Sequence, residues 1–185
     1  MTLIVESGAG IAGADSYLAL ADADAHHAAR AETAWAAATA GAREAALRRA
    51  TAGIDGLFAQ RWKGRKAVPW TVHGLAWPRA GVLDEAGEAI VGADQMPFAL
   101  KVAVAAAALI ELGRPGALGE AARSIRRVAL GPLSVEYADD GAMPPAIALP
   151  LAPLLRDVAP AVPRVDPPPA VTPPFRVGLH DGEPA

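Results

Sequence analysis

The apolar positions of this chain fall into a few windows of helical spacing, separated by stretches dense in glycine and proline. Ala46, Leu47, Ala50, Ile54 and Leu57 recur at the three, four and seven intervals of a buried stripe, which predicts a helix over 42–57, entered at about Thr39. Residues 95–112 are apolar nearly all round, with Lys101 and Glu111 the only charges. Asp94 and Pro97 mark the start of this segment and Gly113 its stop, so it is expected to be the central helix. Asp15 and Ser16 offer N-cap oxygens to a further helix containing Tyr17, Leu18 and Leu20 and running to about Arg30.

Period-two alternation replaces helical spacing in two places. Thr2 to Glu6 is a short extended segment before Gly8 and Gly10, suited to pairing with a neighbour. Residues 124–137 carry two alternating runs around Gly131 and Pro132, with Leu133, Val135 and Tyr137 on one face, and predict a β-hairpin. Residues 83–91 read as a turn between short strands, and 149–158 as a short helix whose Pro150 and Pro153 must lie in its first turn or break it. The fold class expected is mainly α (α+β): a small helical bundle with a hairpin and extended N- and C-terminal arms. The arms are 1–13 and 159–185, and the helical domain is 14–158.

Residues 159–185 are proline-rich, which suits neither helix nor ladder and predicts extended, polyproline-like chain. Phe175, Val177 and Leu179 make this segment a candidate docking arm.

Composition changes this picture in one respect. Apolar residues are 52% of the 185, but much of that is alanine and only 5% is aromatic. Alanine removes little surface from water, at about 25 cal/mol per Å², so the core is thin in volume and a partner subunit can add to its burial. The four tryptophans, Trp35, Trp62, Trp70 and Trp77, are the large anchors. Trp77, among apolar neighbours and before Pro78, is expected in the core, and Trp62, between basic residues, at an interface.

Charge and motifs exclude more than they assign. A net charge of -3 excludes a globally basic nucleic-acid binder but permits a local patch. With no cysteine there is no disulfide, thiolate zinc site or cysteine nucleophile. The N-terminal residues lack the basic start of a signal peptide, and the most apolar stretch, 102–112, is far short of the ~20 residues of a membrane span. His26 and His27 are adjacent and diverge on a helix, while His73 and His180 stand alone, so no metal site is expected. No serine lies in a nucleophile elbow and no phosphate loop is present, so neither cofactor nor catalytic residues are assigned and the chain reads as non-enzymatic.

The strongest polar feature is a basic block. Arg43, Arg48, Arg49, Arg61, Lys63, Arg65 and Lys66 face only Glu44 and Asp55 in the same stretch, whereas residues 1–40 hold five acids and one arginine. Together with Trp62 the block suits phosphates and a stacked base. It equally suits the acidic face of a neighbouring subunit in a head-to-tail ring, or a plain solvated surface.

Several blocks also carry a resemblance: Ala14-Asp-Ser-Tyr17, Ala45-Ala-Leu-Arg-Arg-Ala-Thr51, Arg61-Trp-Lys-Gly64, Leu75-Ala-Trp-Pro-Arg-Ala-Gly-Val82 and Gly131-Pro-Leu-Ser-Val-Glu-Tyr137. Over about residues 2–158 the chain resembles tailed-phage and prophage proteins often labelled DnaT-like single-stranded-DNA-binding, which look like head-tail connector adaptors. The resemblance implies a structural virion protein, made in the host cytoplasm, that forms a twelvefold ring around the DNA channel. Its partners would be itself, the portal, and the stopper or tail terminator, with non-specific contact to packaged DNA and no membrane. The label implies a rival, a replication accessory protein that binds single-stranded DNA. The proline-rich tail lies outside the resemblance.

Overall fold

The computed structural model describes residues 2–119 and 143–156, and between them the backbone of 127–130 and 133–136. The elements are α1 (Leu20–Ala28), α2 (Thr33–Ala37), α3 (Ala40–Phe58), β1 (Arg65–Lys66), β2 (Arg79–Ala80), α4 (Phe98–Gly113), β3 (Arg127–Leu130), β4 (Leu133–Glu136) and α5 (Pro145–Leu151), followed by a 3-10 turn, Ala152–Leu154. Among the described residues the regular structure is mostly helical, with two separate two-stranded antiparallel sheets, β1–β2 and β3–β4. This is the expected α+β class. The proposed docking arm, Phe175, Val177 and Leu179, lies outside the described residues.

Helix α3 forms where its stripe and cap predict. The Thr39 hydroxyl accepts the Ala42 N–H at 3.2 Å, satisfying one of the free amides of the first turn. Ala46, Leu47, Ala50, Ile54 and Phe58 are buried along one face. Helix α4 is entered from Pro97, whose missing N–H costs nothing there, and buries Leu100, Ala103, Val104, Ala105, Ala107 and Ala108. The two helices pack on each other and α5 covers α4. Ala46, Ala50, Ala103 and Ala107 have no exposed surface, so the bundle is close-packed through small side chains. Volume comes from tryptophan: Trp35, Trp62 and Trp77 are all buried, with Trp62 lying 5.7 Å from Phe58 and 5.7 Å from Trp77 between ring centroids.

The hairpin forms at Arg127–Leu130 and Leu133–Glu136, with Leu130 opposite Leu133 across the two-residue loop. The short pairing within 83–91 is a single bridge, Leu83 with Ala89.

Three expectations are corrected. Helix α1 begins at Leu20 because the oxygens at Asp15 and Ser16 are otherwise engaged. Asp15 accepts the Ile4 N–H, and the Ser16 hydroxyl accepts the Leu18 N–H. The N-terminal segment pairs with its own chain, through a parallel bridge between Val5 and Ser16. Its turn then closes around the buried Glu6 carboxylate, which accepts the N–H groups of Gly8, Gly10 and Ile11. Gly8, at φ +111°, lies so close to the Asp94 carbonyl that a β-carbon would sit 2.0 Å from its oxygen. The last helix starts at Pro145, earlier than expected, and Pro150 falls near its end, where the chain tightens into the 3-10 turn.

Close packing through alanine leaves no room for growth. Ala50→Leu is expected to destabilise the protein by about 1–3 kcal/mol, read as a lower urea midpoint at unchanged m-value.

Candidate functional site

The basic block divides in two. Its first half lies on α3 and is engaged within the chain. Arg43 pairs with Asp24 on α1 at 2.7 Å, and the same carboxylate accepts the Trp35 indole N–H. Arg48 pairs with Asp15 at 2.6 Å and with Glu44 at 3.7 Å. Arg49 reaches α4, donating to the buried Glu111 carboxylate at 3.1 Å and to the Glu111 carbonyl at 3.0 Å. The acidic N-terminal region and the basic helix therefore meet inside one subunit. Arg43, Arg48 and Arg49 are thus each paired within the chain, with partners from α1, the segment before α1 and α4.

Trp62 is corrected as well. It is 2% exposed, with residue 62 bridged to Leu155, so its ring is core and cannot accept a stacked base or reach a neighbour. Trp77 is buried as expected.

The second half of the block is the surface that remains. Arg61 and Arg65 are exposed, while Lys63 and Lys66 are half-buried. Arg61 lies over the Phe58 ring at 5.8 Å. Strand β1 pairs Arg65 with Ala80 and Lys66 with Arg79, which brings Arg79 to the same edge. The Arg79 guanidinium donates to the carbonyls of Lys63, Gly64 and Ala76, and Arg156 donates to the Gly64 carbonyl. Arg61, Lys63, Arg65, Lys66 and Arg79 thus form one short strip on and beside β1–β2, with the cross-strand pair Lys66 and Arg79 on one face and Arg65 on the other.

Beside this strip stands Trp70, expected among the large anchors but lying on the surface. Trp70 is 65% exposed, and the Lys66 ammonium lies 3.4 Å from its ring centroid, a close cation–π contact. Lys66 also donates to the His73 carbonyl. Val72, near the same tip, is exposed too.

The loop carrying Trp70 is fixed from beneath. Asp55 of α3 accepts the Ala76 N–H at 2.8 Å and the Tyr17 hydroxyl at 2.7 Å, and the Tyr17 oxygen accepts the Trp77 N–H at 3.1 Å. His73 is fully buried with its Nε2 2.7 Å from the Glu6 carboxylate, which ties the loop to the N-terminal turn. Across the loop's base, the Ala67 N–H donates to the Pro78 carbonyl. The result is an exposed aromatic on a rigid base with cations beside it. Burial pushes the Asp55 carboxyl up from 3.8 to about 6, partly opposed by Tyr17, the Ala76 N–H, Lys66 and Arg79. Burial, followed by the charge of Asp55, pushes the Tyr17 phenol up. Burial lowers Lys66, against the pull of Asp55.

Among the described residues no group of three or more His, Asp or Glu side chains is placed to hold a metal ion, and no helix is long and apolar enough to cross a membrane.

A family model described as "Putative DnaT-like ssDNA binding protein" matches residues 1–163, and the chain belongs to that family. No curated protein and no solved structure matches the chain.

The raised carboxyl gives a pH dependence of definite sign. The folded state holds the Asp55 proton more tightly than the unfolded chain, so this group's contribution to stability is complete below about pH 4 and is lost as pH rises through about 6. Asp55→Asn removes that dependence. Between about pH 4 and 7 the stability of the variant is expected to gain on the wild type by on the order of 2 kcal/mol, from about 1.4 kcal/mol per pKa unit, measured by urea unfolding across the range.

Proposed function

Taking that family membership as premise, we propose that the chain binds single-stranded DNA, without sequence preference, through the Trp70 loop and the strip of Arg61, Lys63, Arg65, Lys66 and Arg79. The observation that carries this reading is Trp70 itself. A large aromatic left two-thirds exposed in a chain that buries its other tryptophans is out of place as packing and in place as a stacking platform. Lys66 covers one ring face, leaving the other for a base. The neighbouring cations supply phosphate contacts, which dominate affinity for nucleic acid. Asp55, Tyr17 and Glu6 hold the loop before any ligand arrives, which limits the ordering cost of binding. The role is binding, and no bond-making step is assigned.

A second reading, a ring-forming head-tail connector adaptor in a phage particle, draws on a different observation. Among the described residues β3–β4 pairs with no third strand, so both edges of the hairpin offer backbone groups to another chain. In this reading the subunits, portal and stopper or tail terminator are the partners, and DNA contact is incidental.

Titration of fluorescent oligo(dT) at several salt concentrations separates the two. Tight binding that weakens steeply with salt supports the first reading. Weak binding, together with a closed ring in native mass spectrometry or recovery of the chain from purified virions, supports the second. On the first reading Trp70→Ala is expected to weaken binding by about 1–3 kcal/mol with the salt slope unchanged, whereas Arg65→Glu lowers the slope by about 0.7. Trp62→Phe, a change in the core, is expected to leave both quantities intact in the folded fraction.

A further inference from the structure

Away from the Trp70 loop, α1, α4 and α5 enclose an apolar trough. One part is a hollow of about 500 Å³ lined mainly by Val102, Leu109, Ile110, Pro145, Leu149 and Pro150. A second hollow, of about 360 Å³, continues it past His26 and Val102 to Phe98. Phe98 is 80% exposed and Leu149 72%, so both ends present large apolar side chains to solvent. Scattered apolar residues on a surface need no explanation, but a continuous lined trough does.

We propose that this trough binds the chain's own C-terminal segment, with Phe175, Val177 and Leu179 seated along it. Size favours a short segment over a second folded copy. The hollows have the volume of a small-ligand site, whereas a stable protein interface needs about 800 Å² from each partner. Spacing agrees. Phe98 to Leu109 is eleven residues of helix, roughly 16 Å at 1.5 Å each. Phe175, Val177 and Leu179 alternate, so an extended segment directs all three to one side across roughly 13 Å.

Reach agrees as well. The end of α5, which borders the trough, is only five residues before Arg156. Residues 157–174 then add 18 residues, seven of them proline, and at about 3.1 Å per residue in polyproline geometry they extend roughly 56 Å. That length returns easily to the trough, and tethering raises the effective concentration of the segment to about the millimolar range. Residues 164–185, which hold the proposed occupant, lie beyond the family match.

The absence of cysteine from the sequence makes the test direct. Full-length protein carrying Leu149→Cys and Val177→Cys is oxidised mildly beside a control carrying Glu85→Cys and Val177→Cys. Glu85 is exposed and shares a hollow with Pro153, so it too lies close to the point where the segment leaves the fold, but outside the trough. The expected result is an intramolecular disulfide in the first protein at least tenfold faster than in the control. Adding Phe175→Ser and Leu179→Ser to the first protein is expected to abolish the advantage. Equal rates in the two proteins overturn the proposal. So do covalent dimers whose yield rises with protein concentration, since they place the segment on a second copy.

Discussion

The close approach of α3 to α4 is the constraint on which this structure turns. Alanines without exposed surface on both helices let the backbones come near, but each alanine withdraws little area from water. A bundle built this way gains dispersion from dense packing and lacks the large hydrophobic contribution of a leucine-rich one. Its stability therefore leans on a few tryptophans and on polar ties at the margins of α3. Arg43, Arg48, Arg49 and Asp55 each project from that helix to a different element: α1, the segment before it, α4 and the loop after β1.

These ties decide which charges remain available. An arginine held by a carboxylate already neutralises one charge and cannot release a counterion from a nucleic acid without breaking its own pair. The α3 arginines are in that position, and the cations from Arg61 to Arg79 mostly are not. Asp55, the carboxyl that faces Lys66 and Arg79, lies beneath the loop and burial opposes its ionisation, while Asp84 and Glu85 share a hollow with Lys63 without a direct ion pair to it. The positive surface is therefore smaller than the basic block, and displaced towards the C-terminal side of it, where Trp70 stands.

Much of the fold was legible in the sequence. The α3 stripe, the Thr39 cap, the Pro97 entry to α4 and the two-residue hairpin loop follow from local rules that act over a few residues. What was not legible depended on partners far along the chain. Asp15 and Ser16 look like caps until Ile4 and Val5 are placed beside them. Helix α2 has five residues, too few to show a period, and is held by Trp35 packing on His27 at 4.3 Å between ring centroids. Arg49 finds Glu111 across 62 positions, which no charge count over a window detects. At the candidate site the basic strip was visible but the aromatic was misassigned. Trp62 has cations on both sides in sequence, and in extended chain that argues against a shared surface, because neighbours point opposite ways. With Arg61 outward, Trp62 turns inward. Trp70 gave a weaker sign: Pro69 and the following turn carry it to the tip of a loop.

The family match covers every part of the fold described above. It ends at residue 163, a few positions beyond Arg156, whose N–H donates to the Arg61 carbonyl and whose side chain reaches Gly64. The match takes in the bundle, the hairpin, the strip and the Trp70 loop, and residues 164–185 lie outside it. The trough draws on α1, α4 and α5 and shares no lining residue with the Trp70 loop, so an occupied trough leaves the platform open. On this geometry the trough and the Trp70 surface are separate sites, and each can be altered without dismantling the other.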